Sequence, residues 1–212
     1  MERAILQTLC YHDIFDYPLT LEEIHRFLIG KKASLKKIQL TIRHSPYAIC
    51  QQGFYFLSGR EKIVAIRKRR EKYSRKKFLI AKKATRFLRL IPTIKMIAIT
   101  GALAVNNVKE EDDIDFLIVA SKNRLWLTRI QAVLLIELFA SRPQLDKGRL
   151  QDTICLNIFL DENYLQMPKE KQNLFVAHEL VQMKLLWQKD NVYQKILKEN
   201  QWVKKFLPNW KD

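Results

Sequence analysis

The sequence predicts an α+β protein built from unlike parts, and three observations carry that expectation. The first sixty positions hold helix-spaced apolar residues followed by two short apolar runs around a glycine turn. A very basic stretch without glycine or proline then runs from Arg60 to Ile91. From Pro92 onward, apolar strands alternate with helical segments. The 212 residues are 48% hydrophobic and 28% charged, which is enough for a buried core and argues against disorder. No apolar run reaches the roughly 18–20 residues of a membrane span, so no membrane association is expected. Met1–Ile5 lacks the apolar stretch of a secretion signal. Cys10, Cys50 and Cys155 are far apart and form no CxxC, so neither a disulfide framework nor a cysteine-paired zinc site is expected, and a cytoplasmic setting is.

Residues 1–60 read as one small module. Ala4, Ile5, Leu6, Leu9, Ile14 and Phe15 give a helix that runs into a turn at Asp16-Tyr17-Pro18. Thr20 and Glu23 form a capping box for a helix carrying Ile24, Phe27 and Leu28, ending near Gly30. Ser34 caps a third helix with Leu35, Ile38, Leu40 and Ile42. Ala48–Cys50 and Phe54–Leu57 flank Gln51-Gln52-Gly53, a hairpin pattern. Three helices and a hairpin predict a winged-helix-like module. Its third helix offers Lys36, Lys37 and Arg43, behind Lys31 and Lys32, either to DNA or to a protein.

Residues 61–91 predict one long connecting helix. Ile63, Ile66, Tyr73, Ile80, Ala84, Phe87 and Ile91 mark its buried stripe. Between Arg60 and Lys95 the chain carries 15 Lys and Arg against two acids, most of a net charge of +16. Uncompensated like charges one turn apart destabilise a helix. The Arg67-Lys68-Arg69-Arg70 cluster is therefore either a solvated face or a surface for a polyanion such as nucleic acid.

Residues 92–162 predict the sheet. Ile94–Thr100, Asp113–Ala120 and Thr153–Leu160 are strands; Gly101–Ala104 is a short helical turn. Arg124–Ala140 is a helix, apolar nearly all round, which predicts deep packing with Trp126 in the core. Residues 163–212 predict a helical cover, with Leu174, Phe175, Ala177, Leu180, Val181 and Leu185, then Tyr193, Ile196, Leu197, Trp202, Val203 and Phe206, closed by Pro208.

Within this core, Asp113 and Asp115 alternate with apolar Ile114 and Phe116, so both carboxylates face one side of a strand. Adjacent carboxylates repel, and a divalent cation such as Mg²⁺ or Mn²⁺ is the usual remedy. Upstream, Gly101 ends a strand and opens a helical turn, where backbone N–H groups suit a phosphate. Ala102, Asn106 and Arg124 are further candidates for nucleotide contact; Asn106 and Asn107 equally suit a turn, and Arg124 and Arg129 equally suit surface salt bridges. His178-Glu179 is not a zincin motif, because the second histidine position is Gln182.

Thr100-Gly101-Ala102 and, ten residues on, Asp113-Ile114-Asp115-Phe116 resemble the paired motif of the nucleotidyltransferase superfamily, the fold of DNA polymerase beta and the minimal nucleotidyltransferases. The chain from Tyr11 to Trp210 is also similar to prokaryotic nucleotidyltransferase-domain proteins. The resemblance implies a mixed sheet with flanking helices. It implies Asp113 and Asp115 as metal ligands, and an NTP substrate, ATP first among them, whose NMP passes to an acceptor hydroxyl. There are three departures. Thr100 stands for a hydrophobic residue, Ala102 for glycine or serine, and Asn157 for the third catalytic carboxylate. Asn157 can ligate through its oxygen but cannot accept a proton. Asp152, which precedes the same strand, is a candidate substitute, although five positions from Asn157 put it on the other face of a regular strand. The rival expectation is a nucleic-acid-binding or regulatory protein with a degenerate transferase core. A scaffold, or the nucleotide-transferring member of a toxin–antitoxin-like pair, would instead turn the basic helix toward an acidic protein.

Overall fold

A computed structural model describes residues 1–139 and 153–211, with only the backbone of Phe139. The chain forms two compact units, each discontinuous in sequence.

The first unit comprises Met1–Arg69, Glu170–Val181 and Gln201–Asp212. Helices α1 (Glu2–Asp13), α2 (Leu21–Arg26) and α3 (Leu35–Arg43) precede a hairpin of β1 (Ala48–Gln51) and β2 (Phe54–Leu57), with Leu19 bridging Tyr55. The capping box at α2 is complete: Glu23 N donates to Thr20 Oγ1 at 3.2 Å, and Thr20 N donates to Glu23 Oε2 at 2.8 Å. Ser34 Oγ caps α3 by accepting from Lys37 N. Ile5, Leu9, Leu19, Ile24, Leu28, Ile38 and Phe56 fill the interior. Glu23 has a second task. Arg67, in the first turns of α4 (Lys62–Leu88), forks onto both of its carboxylate oxygens at 2.7 and 2.8 Å. The same guanidinium donates to the Pro18 carbonyl and lies over the Tyr17 and Phe54 rings. Burial pushes the Glu23 carboxyl up, but Arg67, Thr20 and Tyr17 together hold it below its ordinary value.

The second unit comprises Arg70–Lys169 and Gln182–Asn200. Its sheet runs β5-β4-β3-β6, from β3 (Ile94–Ile99), β4 (Ile114–Ala120), β5 (Ile154–Asp161) and β6 (Lys184–Gln188). β3 pairs antiparallel with β4 and β6, and β4 pairs parallel with β5, so the sheet is mixed. β3 and β4 are buried almost throughout, because α4, α6 (Leu125–Phe139) and α8 (Val192–Glu199) supply apolar side chains to the sheet. Ala81, Ala84, Leu88, Ile97, Ile99, Leu103, Phe116, Ile118 and Ala132 are at the centre. No described helix is long and apolar enough to cross a membrane.

Three expectations are corrected. The C-terminal segment is not simply a helical cover. After α7 (Leu174–Gln182) the chain turns into edge strand β6, because Lys184–Gln188 completes the free edge of β3. Helix α6 is not deeply packed. Among its described side chains only Thr128 and Ala132 are buried, and Trp126 is 71% exposed, with Ile130, Leu134 and Leu138 also exposed. The buried face of α4 is the expected one only in part: Ile63 and Ala84 are on it, and Ile91 beyond the helix is buried too. Residues 63, 67, 70, 74, 77, 81, 84 and 88 succeed one another at steps of three and four and are all buried. Four of them are polar: Arg67, Arg70, Ser74 and Lys77. Ile66, Tyr73, Ile80 and Phe87 flank this stripe half-buried.

In the first unit, His12 and His178 meet at 5.1 Å between ring centroids, beside Tyr11 and Phe27. His12 Nδ1 donates to the Thr8 carbonyl, which leaves its buried Nε2 without a hydrogen bond. Burial lowers His12 to about 4 and His178 to about 3, against 6.5 for a free imidazole. The folded state therefore keeps both rings neutral where the unfolded chain takes up protons. Stability is full above pH 6.5 and falls as pH drops toward 4, by up to about 1.4 kcal/mol per pH unit for each ring. Urea unfolding between pH 7 and 4 should show this slope, and His178→Phe should roughly halve it.

Candidate active site

The site is built at the end of the sheet where β3 leaves and β4 enters. Asp113 immediately precedes β4, and Asp115 is its second residue. Thr100 N donates to the Asp115 carbonyl at 3.1 Å, so the end of β3 is tied to the strand that carries the carboxylate. The chain between them is held from α4. Lys77 Nζ donates to the Asp112 carbonyl at 2.6 Å, and Arg70 Nη1 donates to Asn107 Oδ1 at 3.1 Å. Asp112 Oδ2 in turn accepts from Lys109 N at 2.8 Å.

Gly101 follows β3 with φ of +63°, in the left-handed region. A Cβ at Gly101 would lie 2.9 Å from Asp115 Oδ2. Any side chain there would both strain the backbone and press on the carboxylate.

Asp113, Asp115 and Cys155 bring one ligand atom each to within 4.8 Å of one another, Asp113 exposed and the other two half-buried. The register explains the thiol. Asp115 pairs with Cys155 across the parallel β4–β5 ladder, and Leu117 then pairs with Ile158, so β5 carries one extra residue at Leu156–Asn157. Cys155 thus stands directly beside Asp115. Asn157, in the bulge, still reaches the carboxylate: its Nδ2 donates to Asp115 Oδ1 at 3.2 Å. Burial raises the Asp115 carboxyl above its ordinary value and the neighbouring Asp113 charge adds to this, while hydrogen bonds from Cys155 and Asn157 oppose it. Burial likewise raises the Cys155 thiol, and the two carboxylates raise it further. Two carboxylates and a sulfur facing one point, with repulsion between the carboxylates, are a donor set that fits a divalent cation.

The remaining candidates divide. Asn106 is in the left-handed region after α5 (Gly101–Ala104), and its Oδ1 accepts from Lys184 Nζ at 3.2 Å. Ala102 is exposed, and its carbonyl accepts from Asn107 N. Lys184, at the start of β6, pairs in register with Ile99 and so brings a cation to the Gly101 end of the sheet. Arg124 does not join this group. It follows the far end of β4, where its N–H bonds Ser121 O, six residues or roughly 20 Å of strand from Asp115. In the basic cluster, Lys68 and Arg69 are exposed, but Arg67 and Arg70 are buried on Glu23 and Asn107 and present no charge to a polyanion. Asp152 lies outside the described residues. The site member the sequence reading overlooked is Cys155. Its position two residues before Asn157 on a predicted strand was the available signal, since alternate residues share a face.

No family model matches the chain, and no curated protein does. Among solved structures, a chain from the crystal structure of the toxin-antitoxin with AMP-PNP is similar at 15% identity and a TM-score of 0.35. The match covers 58% of this chain and 89% of that one. At that score the likeness transfers no property to this protein.

Gly101→Ala should lower unfolding stability by about 1–2 kcal/mol, the cost of the left-handed conformation. It should also weaken divalent-cation binding measured by calorimetry, because Asp115 must move away from the new methyl group.

Proposed function

We propose that the protein is a nucleotide-handling enzyme of the metal-dependent nucleotidyltransferase class, transferring an NMP from an NTP to an acceptor hydroxyl. The observation that carries this reading is the Asp113–Asp115 pair converging at a strand end under a glycine whose Cβ position is closed by Asp115 itself. The N-terminal three helices and hairpin are read with it as a winged-helix-like module.

In this reading Asp113 and Asp115 hold Mg²⁺ or Mn²⁺. When bound, the cation neutralises the charge on the NTP phosphates and on the leaving pyrophosphate. The chain's own residues do the positioning. The Gly101 bend lets the distal phosphates approach the backbone next to the carboxylates, and Ala102 adds no hydroxyl to that grip. Lys184 supplies positive charge at the same edge. Asn157 fixes Asp115 by donating to it, so the oxygen left for a ligand is oriented. As an amide, Asn157 takes no proton from the acceptor, and that proton must leave by another base or by water. The exposed basic positions of α4, Lys68 and Arg69 among them, are read as attracting a polyanionic acceptor or an acidic protein surface.

One observation favours the rival, a nucleic-acid-binding or regulatory protein with a degenerate core: an amide occupies the slot where a third carboxylate would complete the site.

Incubation with each labelled NTP and Mg²⁺ or Mn²⁺, with and without RNA or DNA, should give transfer or self-modification, ATP being used best. Asp115→Ala should abolish it by at least about 10³-fold while the protein stays folded. Tight, steeply salt-dependent nucleic-acid binding with no turnover would establish the rival instead. Asn157→Asp should raise activity and cation affinity. Without the cation it should lower stability by about 1 kcal/mol, because a hydrogen bond becomes a carboxylate repulsion. Unchanged activity in a folded Asn157→Asp protein would remove Asn157 from the third-carboxylate slot.

A further inference from the structure

Cys155 has no part in the transferase reading, yet it stands inside its site. The parallel register sets it opposite Asp115, and its sulfur lies within 4.8 Å of a carboxylate oxygen of both Asp113 and Asp115. Cys10 and Cys50, by contrast, are exposed and far along the chain.

We propose that Cys155 is a third protein ligand at this site, and that the site accordingly selects a thiophilic divalent cation of the Zn²⁺ type over Mg²⁺. The inference rests on the reading that Asp113 and Asp115 bind a cation, and replaces the Mg²⁺ or Mn²⁺ of that reading with a thiophilic ion as the one bound most tightly. Three protein ligands of mixed oxygen and sulfur with a fourth position open is the arrangement of a catalytic rather than a structural zinc site. A tetrahedral ion with oxygen ligands at about 2.0–2.2 Å and sulfur at about 2.3 Å sets the donors roughly 3.3–3.7 Å apart. Closing from within 4.8 Å to that spacing takes small side-chain rotations, and Asp113, exposed at the mouth of the strand, is the member with freedom to make them. Mg²⁺ discriminates against sulfur and demands six oxygen ligands, so for it Cys155 would occupy space without contributing a bond. On binding, the thiol proton leaves to solvent as the metal–sulfur bond forms.

The test is titration of the full chain with Co²⁺, a spectroscopic substitute for Zn²⁺. One equivalent should produce a thiolate-to-metal charge-transfer band in the near ultraviolet, bleached by added Zn²⁺. The band should survive replacement of both Cys10 and Cys50 by Ser and disappear in Cys155→Ser and in Cys155→Ala. Calorimetry should show Zn²⁺ affinity falling by at least roughly tenfold in Cys155→Ser, with Mg²⁺ affinity changed by less than about threefold. Co²⁺ binding that depends on Asp115 but gives no thiolate band would overturn the proposal and leave the carboxylate reading intact. Absence of binding by any of these cations to the folded protein would sink both. Two cysteine variants guard against one of them misfolding.

Discussion

Electrostatic repulsion between Asp113 and Asp115 is the constraint around which the second unit is organised. Both carboxylates are forced to one side by strand alternation, and burial aggravates the cost at Asp115. The surrounding structure answers with donors. Asn157 donates to Asp115, the Cys155 thiol stands beside both carboxylates, and Gly101 leaves open the space a side chain would take. A site that gathers this charge is poised for a cation from solution.

The long basic helix has two sides with different work. Its outward lysines and arginines make the chain strongly positive, but its inward polar residues are structural. Arg67 satisfies Glu23 and the Pro18 carbonyl in the first unit. Arg70 and Lys77 in the second hold the loop that delivers Asp113 to the strand. Buried charges of this kind need complete hydrogen bonding, and removing one partner strands the other. The arginine-rich cluster therefore reads as a single recognition patch in the sequence but is split by the fold into packed and solvated halves.

Much of the fold was legible in advance because the signals are local. The capping box at Thr20 and Glu23, the Ser34 cap, the hairpin around Gly53 and the strands at 94–99 and 114–120 depend on backbone geometry within a few residues. The pairing of Asp113 with Asp115 was legible for the same reason. Strand β6 was not, because Leu185 and its neighbours have a helix-compatible pattern and become a strand only through the open edge of β3. Helix α6 was misjudged because apolarity on all sides does not state which side is covered; Trp126 and Leu138 remain exposed while Ala132 is buried.

The sequence by itself determined the hairpin module, the helical reach of the basic segment and the two acids on one strand face, because each follows from spacing along a continuous chain. Tertiary structure alone decided that Arg67, Arg70 and Lys77 turn inward, that Arg124 stands at the wrong end of β4, and that Cys155 meets Asp115. Those outcomes depend on register and on partners dozens of residues away: alternation puts Cys155 on the face of Asn157, but only the β4–β5 register sets its thiol against the Asp115 carboxylate.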